Sequence, residues 1–165
     1  MQLQNPTPDL CFDDTTREAL ADLLMPFRRA CCLCAPSVAE ALYRRGRIAR
    51  FLDIDERFNG FPGFRRWDVA DPRGLAEPFD IVVAVPPEPT APALDETARA
   101  LAVLAGPESR VLVAAPAGLA ADALAGLGLK PTGVRAGYAS AADAEFFANF
   151  ALPSWFNPAR DARPN

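Results

Sequence analysis

Phe79-Asp80-Ile81-Val82-Val83-Ala84-Val85-Pro86-Pro87 is the most strand-like run in the chain. Apolar and β-branched residues fill it from Ile81 onward, without the polar alternation of a strand that has one wet face. Such a run belongs in the middle of a parallel sheet. The paired prolines end it, because proline cannot donate to a ladder. The spacing predicts a central strand over 79–85 with a rigid loop after it.

The same alternation of elements recurs on both sides. Upstream, Thr15 and Glu18 stand at capping-box spacing before a helix striped by Ala19, Leu20, Leu23 and Leu24. Ala30-Cys31-Cys32-Leu33-Cys34 reads as a short buried strand, broken by Ala35-Pro36. Ser37 and Glu40 form a second capping box, opening a helix to about Arg45 that Gly46 stops. Residues 47–53 supply a strand, 55–63 a loop, 64–67 a weaker strand ending at Asp68, and 72–78 a turn. Downstream come a helix over 94–104, a strand over 110–115, and a helix over 119–127 closed by Gly128. Two last strands follow over 130–134 and 145–152, and the Pro-rich stretch from Pro153 is expected to be irregular. Strands alternating with helices predict an α/β fold with a doubly wound, mostly parallel sheet. One domain over 1–152 and a tail over 153–165 account for the whole length.

Composition narrows the chemistry. At 165 residues, half of them hydrophobic and 23% charged, the chain is long enough for one core. No apolar run approaches the length of a membrane helix. The first residues lack a basic start and an apolar stretch, so no signal peptide is expected and a cytoplasmic location follows. A net charge of −4 disfavours nucleic acid as a partner. Eight of the sixteen arginines lie between Arg44 and Arg73, where a local basic patch is conceivable, although charge runs usually mark solvated faces. Histidine is absent, which removes Ser-His-Asp and Cys-His catalysis and most zinc sites. Of the four cysteines, Cys31, Cys32 and Cys34 crowd one segment too tightly for a disulfide framework, and Cys11 stands apart. They are expected to be reduced thiols packed as small apolar groups, and no metal site is expected.

In doubly wound sheets ligands lie beyond the carboxyl ends of the strands. After the first strand, Ala35-Pro36-Ser37 leads straight onto a helix N-terminus, whose free N–H groups suit a carboxylate. The Gly-rich dinucleotide fingerprint is missing, which argues against a Rossmann oxidoreductase. The second strand ends at Asp53-Ile54-Asp55, and either aspartate can accept from ribose hydroxyls. The third ends at Trp67-Asp68, where a carboxylate can accept from an adenine amino group. The fourth ends at Val85-Pro86-Pro87-Glu88. There the carbonyls of Val85 and Pro86 have no helix partner and can accept from an amine.

Cys34-Ala35-Pro36-Ser37-Val38, Phe51-Leu52-Asp53-Ile54-Asp55-Glu56-Arg57-Phe58, Trp67-Asp68, the 79–87 run and Ala144-Glu145-Phe146 together resemble a known family. It was first named as probable adenine amino-group methyltransferases, and some eukaryotic members methylate a lysine of translation elongation factor 1-alpha. The likeness spans about residues 11 to 152, and Ala-Pro-Ser-Val in place of a Gly-rich loop is a fairly specific trait. The resemblance implies a seven-strand class I methyltransferase sheet and S-adenosylmethionine as cofactor. It places Ala35, Pro36 and Ser37 at the methionine part, Asp53 or Asp55 at the ribose and Asp68 near the adenine.

The departure is at the chemistry. Where the family motif is Asp-Pro-Pro-aromatic, this chain reads Val85-Pro86-Pro87-Glu88, so both the acceptor for the target nitrogen and the aromatic that packs on it are replaced. The aromatic pair near the family's N-terminus is reduced to Phe12 followed by Asp13-Asp14, and Ala144 stands for an Asn. Positioning the nucleophile is the protein's main task in methyl transfer. Glu88, three residues on in the same loop, is the candidate replacement, with Pro86 offering its carbonyl. Two expectations follow. One is a methyltransferase acting on an amine nitrogen, most suitably a protein lysine. The other is a catalytically inactive domain kept as a binding or structural subunit of a larger assembly.

Overall fold

The computed structural model describes residues 12–138 and 144–161. Cys11 lies outside them. Seven strands form one sheet: β1 (Ala30–Leu33), β2 (Arg50–Asp53), β3 (Phe64–Arg66), β4 (Ile81–Ala84), β5 (Arg110–Ala115), β6 (Lys130–Ala136) and β7 (Ala144–Ala148). Their spatial order is β3-β2-β1-β4-β5-β7-β6, with β7 antiparallel to both neighbours and the other pairs parallel. The order reverses between β1 and β4, so the topological switch point falls between the Cys34 and Val85 ends. The run at 79–85 is indeed central, and β1 and β4 are buried along their full length.

Helices α1 (Asp14–Leu24) and α2 (Pro36–Arg44) cover one face, and α3 (Ala91–Leu104) and α4 (Ala117–Ala125) the other. Strand alternation sorts the core between them. Cys32, Phe51, Val83, Val85, Ala114 and Phe146 face α1 and α2. Cys31, Leu33, Leu52, Val82, Ala84 and Val113 face α3 and α4. Cys31 and Cys32 are fully buried free thiols, one packed into each layer.

Several boundaries move for local reasons. Asp13, not Thr15, caps α1: its Oδ1 accepts the Thr16 N–H at 2.8 Å. β2 starts at Arg50 rather than 47, because α2 ends in a Schellman turn that uses Gly46 (φ 78) and Arg47. Arg47 N–H donates to Leu42 O and Gly46 N–H to Tyr43 O, both at 2.9 Å. β7 stops at Ala148 because the Asn149 side chain takes over the ladder, accepting from Val111 N–H at 2.8 Å and donating to Ser109 O at 3.0 Å. The tail is irregular to Asn157 and then forms a short helix, α5 (Pro158–Asp161). Phe156 is 1% exposed and stands edge-on to Phe146, with ring centroids 5.3 Å apart, while Trp155 remains exposed. No helix among the described residues is long and apolar enough to cross a membrane.

Candidate functional site

Backbone hydrogen bonds continue the parallel ladder one residue past the strands. Trp67 N–H donates to Asp53 O at 2.9 Å, Cys34 N–H to Leu52 O at 2.8 Å and Val85 N–H to Leu33 O at 3.1 Å. The four strand ends singled out in the sequence therefore stand side by side on one sheet edge, in the order Trp67–Asp68, Asp53, Cys34, Val85.

The β1 end is built for a close turn. Cys34 adopts φ +52, a left-handed conformation uncommon for a residue with a β-carbon. Strain of this kind persists only where the surrounding structure fixes it. Ala35 occupies the N-cap position of α2, and no side chain caps the helix. Ser37, expected as the cap, lies inside the first turn instead and is buried at 8% exposure, because Pro36 takes the first helical position. The Ser37 and Val38 N–H groups accordingly have no acceptor among the described residues. They add to the positive end of the helix dipole at this edge.

The β2 end separates two aspartates that the sequence left equivalent. Asp55 is held by Arg57, which donates from its backbone at 2.9 Å and from its guanidinium at 2.5 Å. That guanidinium lowers the Asp55 carboxyl below its ordinary value. Asp53 is partly buried, and its carboxylate is held by backbone N–H groups that follow it, the Asp55 N–H donating to one oxygen at 3.0 Å and the Ile54 N–H lying close as well. Burial raises its carboxyl, against the lowering effect of the backbone N–H groups. At the β3 end, Asp68 is partly exposed and accepts the Ala70 N–H at 2.9 Å. Trp67 and Val69 beside it are buried. Burial pushes the Cys34 thiol up, and the charges of Asp53 and Asp68 push it further, which places both carboxylates within electrostatic reach of Cys34.

The β4 end is of another character. Val85 is 2% exposed and belongs to the apolar cluster with Ala114 and Phe146. Pro86 is buried, whereas Pro87, Glu88, Pro89 and Thr90 project into solvent. Neither the Val85 nor the Pro86 carbonyl accepts a backbone hydrogen bond among the described residues. Glu88 makes no hydrogen bond or ion pair there, so it is a free carboxylate at the rim. Ala144 is buried against Ala136 at the start of β7.

Sequence reasoning passed over Tyr138, which sits in the connection between β6 and β7 with no motif around it. Its ring stacks on Phe12 (5.2 Å, 16°), and Phe12 stacks on Phe146 (6.3 Å, 27°). Five of the eight arginines between Arg44 and Arg73 are neutralised by carboxylates. Arg45 pairs with Glu18 and Asp22, Arg50 with Glu77, Arg57 with Asp55, Arg66 with Glu56 and Arg73 with Asp71.

The model of a family described as probable N6-adenine methyltransferase matches residues 10–152. No curated protein matches the sequence. Among solved structures, a TehB-like S-adenosylmethionine-dependent methyltransferase from Corynebacterium glutamicum is similar over 86% of this chain and 89% of its own, at 14% identity and a TM-score of 0.57. Magnesium protoporphyrin IX methyltransferase from Synechocystis, solved with bound S-adenosylmethionine, is similar over 82% of this chain and 76% of its own (19% identity, TM-score 0.57). Human N-acetylserotonin methyltransferase, in complex with the same cofactor, is similar over 84% of this chain and 52% of its own (14% identity, TM-score 0.55). At these identities the likeness establishes the fold: a Rossmann-like, seven-strand class I methyltransferase sheet.

Proposed function

We propose that this chain, which belongs to the probable N6-adenine methyltransferase family, transfers a methyl group to an amine nitrogen, with a protein lysine as the best-suited acceptor. Its cofactor is S-adenosylmethionine. The observation that carries the proposal is the alignment of four strand ends on one edge, polar at β1–β3 and apolar at β4. The residues at those ends fit the cofactor. The free Ser37 and Val38 N–H groups at the α2 N-terminus, bordered by Ala35 and Pro36, suit its carboxylate. The Asp53 carboxylate, which has no cationic side chain bonded to it among the described residues, suits the ribose hydroxyls, Asp55 being engaged with Arg57. Asp68 lies one strand further out, at the adenine position.

The cofactor supplies a methyl group on a positively charged sulfur, so the chain's task is to align a neutral amine with it. We assign that task to the β4 loop. The Pro86 carbonyl accepts from the amine N–H, and the Glu88 carboxylate draws a cationic side chain to the rim and takes up its proton. Val85 and Pro87 hold the loop in place. The net charge of −4 favours a protein partner over nucleic acid.

One observation favours a second reading. Val85, where the family carries an aspartate, is packed into the core, so the domain suits a binding role in a larger assembly if the β4 loop cannot orient an amine. Incubation with radiolabelled S-adenosylmethionine and Nα-acetyl-lysine, using wild type and Glu88→Gln, tests the enzyme reading. The expected result is methyl-lysine from wild type and a loss of about tenfold or more in the variant, with cofactor affinity unchanged. No methyl transfer by wild type despite cofactor binding leaves the binding role.

A further inference from the structure

We infer that the hydroxyl of Tyr138 is a second hydrogen-bond acceptor for the target nitrogen, beside the Pro86 carbonyl, supplying a polar group that Val85 does not. The inference rests on the cofactor reading above and adds a residue to it.

The sheet brings the two positions together. β4 and β5 pair in register as Ala84 with Val113, so the parallel ladder carried one residue on sets Val85 beside Ala114. β5 and β7 pair Ala114 with Phe146. Val85, Ala114 and Phe146 form one row on the α1–α2 face, at the edge that carries the strand ends. Tyr138 reaches this row at Ala114. Its oxygen is 3.5 Å from the Ala114 carbonyl, a long contact that aims the hydroxyl without consuming its lone pairs. Within the stack, Phe12 (3% exposed) and Phe146 (0%) are closed off, whereas Tyr138 keeps a partly open side.

Its placement is fixed from both flanks. Phe12 and Tyr138 form an antiparallel bridge. Asp13 N–H donates to Gly137 O at 2.9 Å, and Gly137 N–H donates to the buried Thr16 hydroxyl at 3.0 Å. A β-carbon on Gly137 would run into the Asp13 carboxylate that caps α1, so a larger residue here would have to displace that cap. Burial raises the phenol well above its ordinary value, which keeps it neutral. A neutral phenol that donates to Ala114 O retains lone pairs for an amine N–H, whereas the amine's own lone pair stays free to attack the methyl carbon. The C–S bonding pair leaves with sulfur, and the proton shed by the methylated nitrogen passes to water at the rim.

Sinefungin probes this without a known substrate, because it carries an ammonium where the cofactor carries its sulfonium methyl; S-adenosylhomocysteine carries neither. Titration of wild type and Tyr138→Phe with both compounds reads the contact directly. The phenylalanine keeps the ring stack, and matching thermal midpoints check the fold. The expected result is a loss of about tenfold or more in sinefungin affinity, with S-adenosylhomocysteine binding within about twofold of wild type. Equal losses for both compounds would make Tyr138 a wall of the pocket and overturn the inference, as would no loss for either. If wild type binds neither compound, the cofactor reading fails first and takes this one with it.

Discussion

The two ends of the ligand edge are made of different material. At β1–β3 the chain spends polar groups: uncapped helix N–H donors, a half-buried Asp53 and a second carboxylate at Asp68. At β4, β5 and β7 it places Val85, Ala114, Ala144 and Phe146, all buried. The contrast separates two tasks that a methyltransferase sheet performs in one cleft, holding the donor and aligning the acceptor. Donor holding needs fixed hydrogen-bond partners, and they are present. In the reading proposed above, acceptor alignment falls to groups brought from outside the strand tip, namely the Glu88 rim and the Tyr138 hydroxyl.

The sharpest way to break the contrast is to make the acceptor end polar. Val85→Asp puts a carboxylate among Ala114, Phe146 and their neighbours, and should cost about 2–4 kcal/mol of stability in denaturant unfolding. Cofactor affinity in the folded protein should be unchanged. A stable variant with higher turnover on Nα-acetyl-lysine would show instead that the native tip is a decayed site.

Asp53→Asn tests the donor end. The loss of a charged acceptor for two hydroxyls should weaken S-adenosylmethionine roughly ten- to hundredfold in calorimetric titration. Its effect on stability should have the opposite sign. Burial raises the Asp53 pKa in the folded state above its ordinary 3.8, so the ionised group costs stability at neutral pH, and that cost is relieved only as pH falls through the raised value. The amide should therefore raise the thermal midpoint of the cofactor-free protein slightly while it impairs binding. For the same reason, wild-type cofactor affinity should start to fall on acidification at a pH above that of an ordinary aspartate.

Asp55→Asn is the smallest change expected, within about twofold in cofactor affinity. Its carboxyl is lowered by Arg57, so its own contribution to stability is present above 3.8 and lost as pH falls through the lowered folded value. A large loss of binding in this variant would exchange the roles of the two aspartates.

Much of the fold was legible because it rests on local signals. Ile81-Val82-Val83-Ala84 is apolar on both faces and could only be central. Gly46 and the prolines at 86–87 punctuate the chain where the sheet turns. Two of the misplaced boundaries share a cause, side chains that stand in for backbone, whereas the late start of β2 comes from the backbone turn that closes α2. Asp13 caps α1 in place of Thr15, and Asn149 completes the ladder that β7 would otherwise extend. At the site, the strand ends were readable because parallel topology dictates where they lie. The difference between Asp53 and Asp55 was not, because it depends on where Arg57 folds back. Tyr138 was hidden because its partners, Phe12 and Ala114, are distant in sequence.

Calorimetric titration of the wild-type protein with S-adenosylmethionine, repeated with Asp53→Ala, tests the account most directly. It predicts saturable one-to-one binding in wild type and a loss of roughly tenfold or more in the variant. No heat of binding in wild type at about 1 mM cofactor, an affinity worth only about 4 kcal/mol, would contradict it, as would equal affinity in the two proteins.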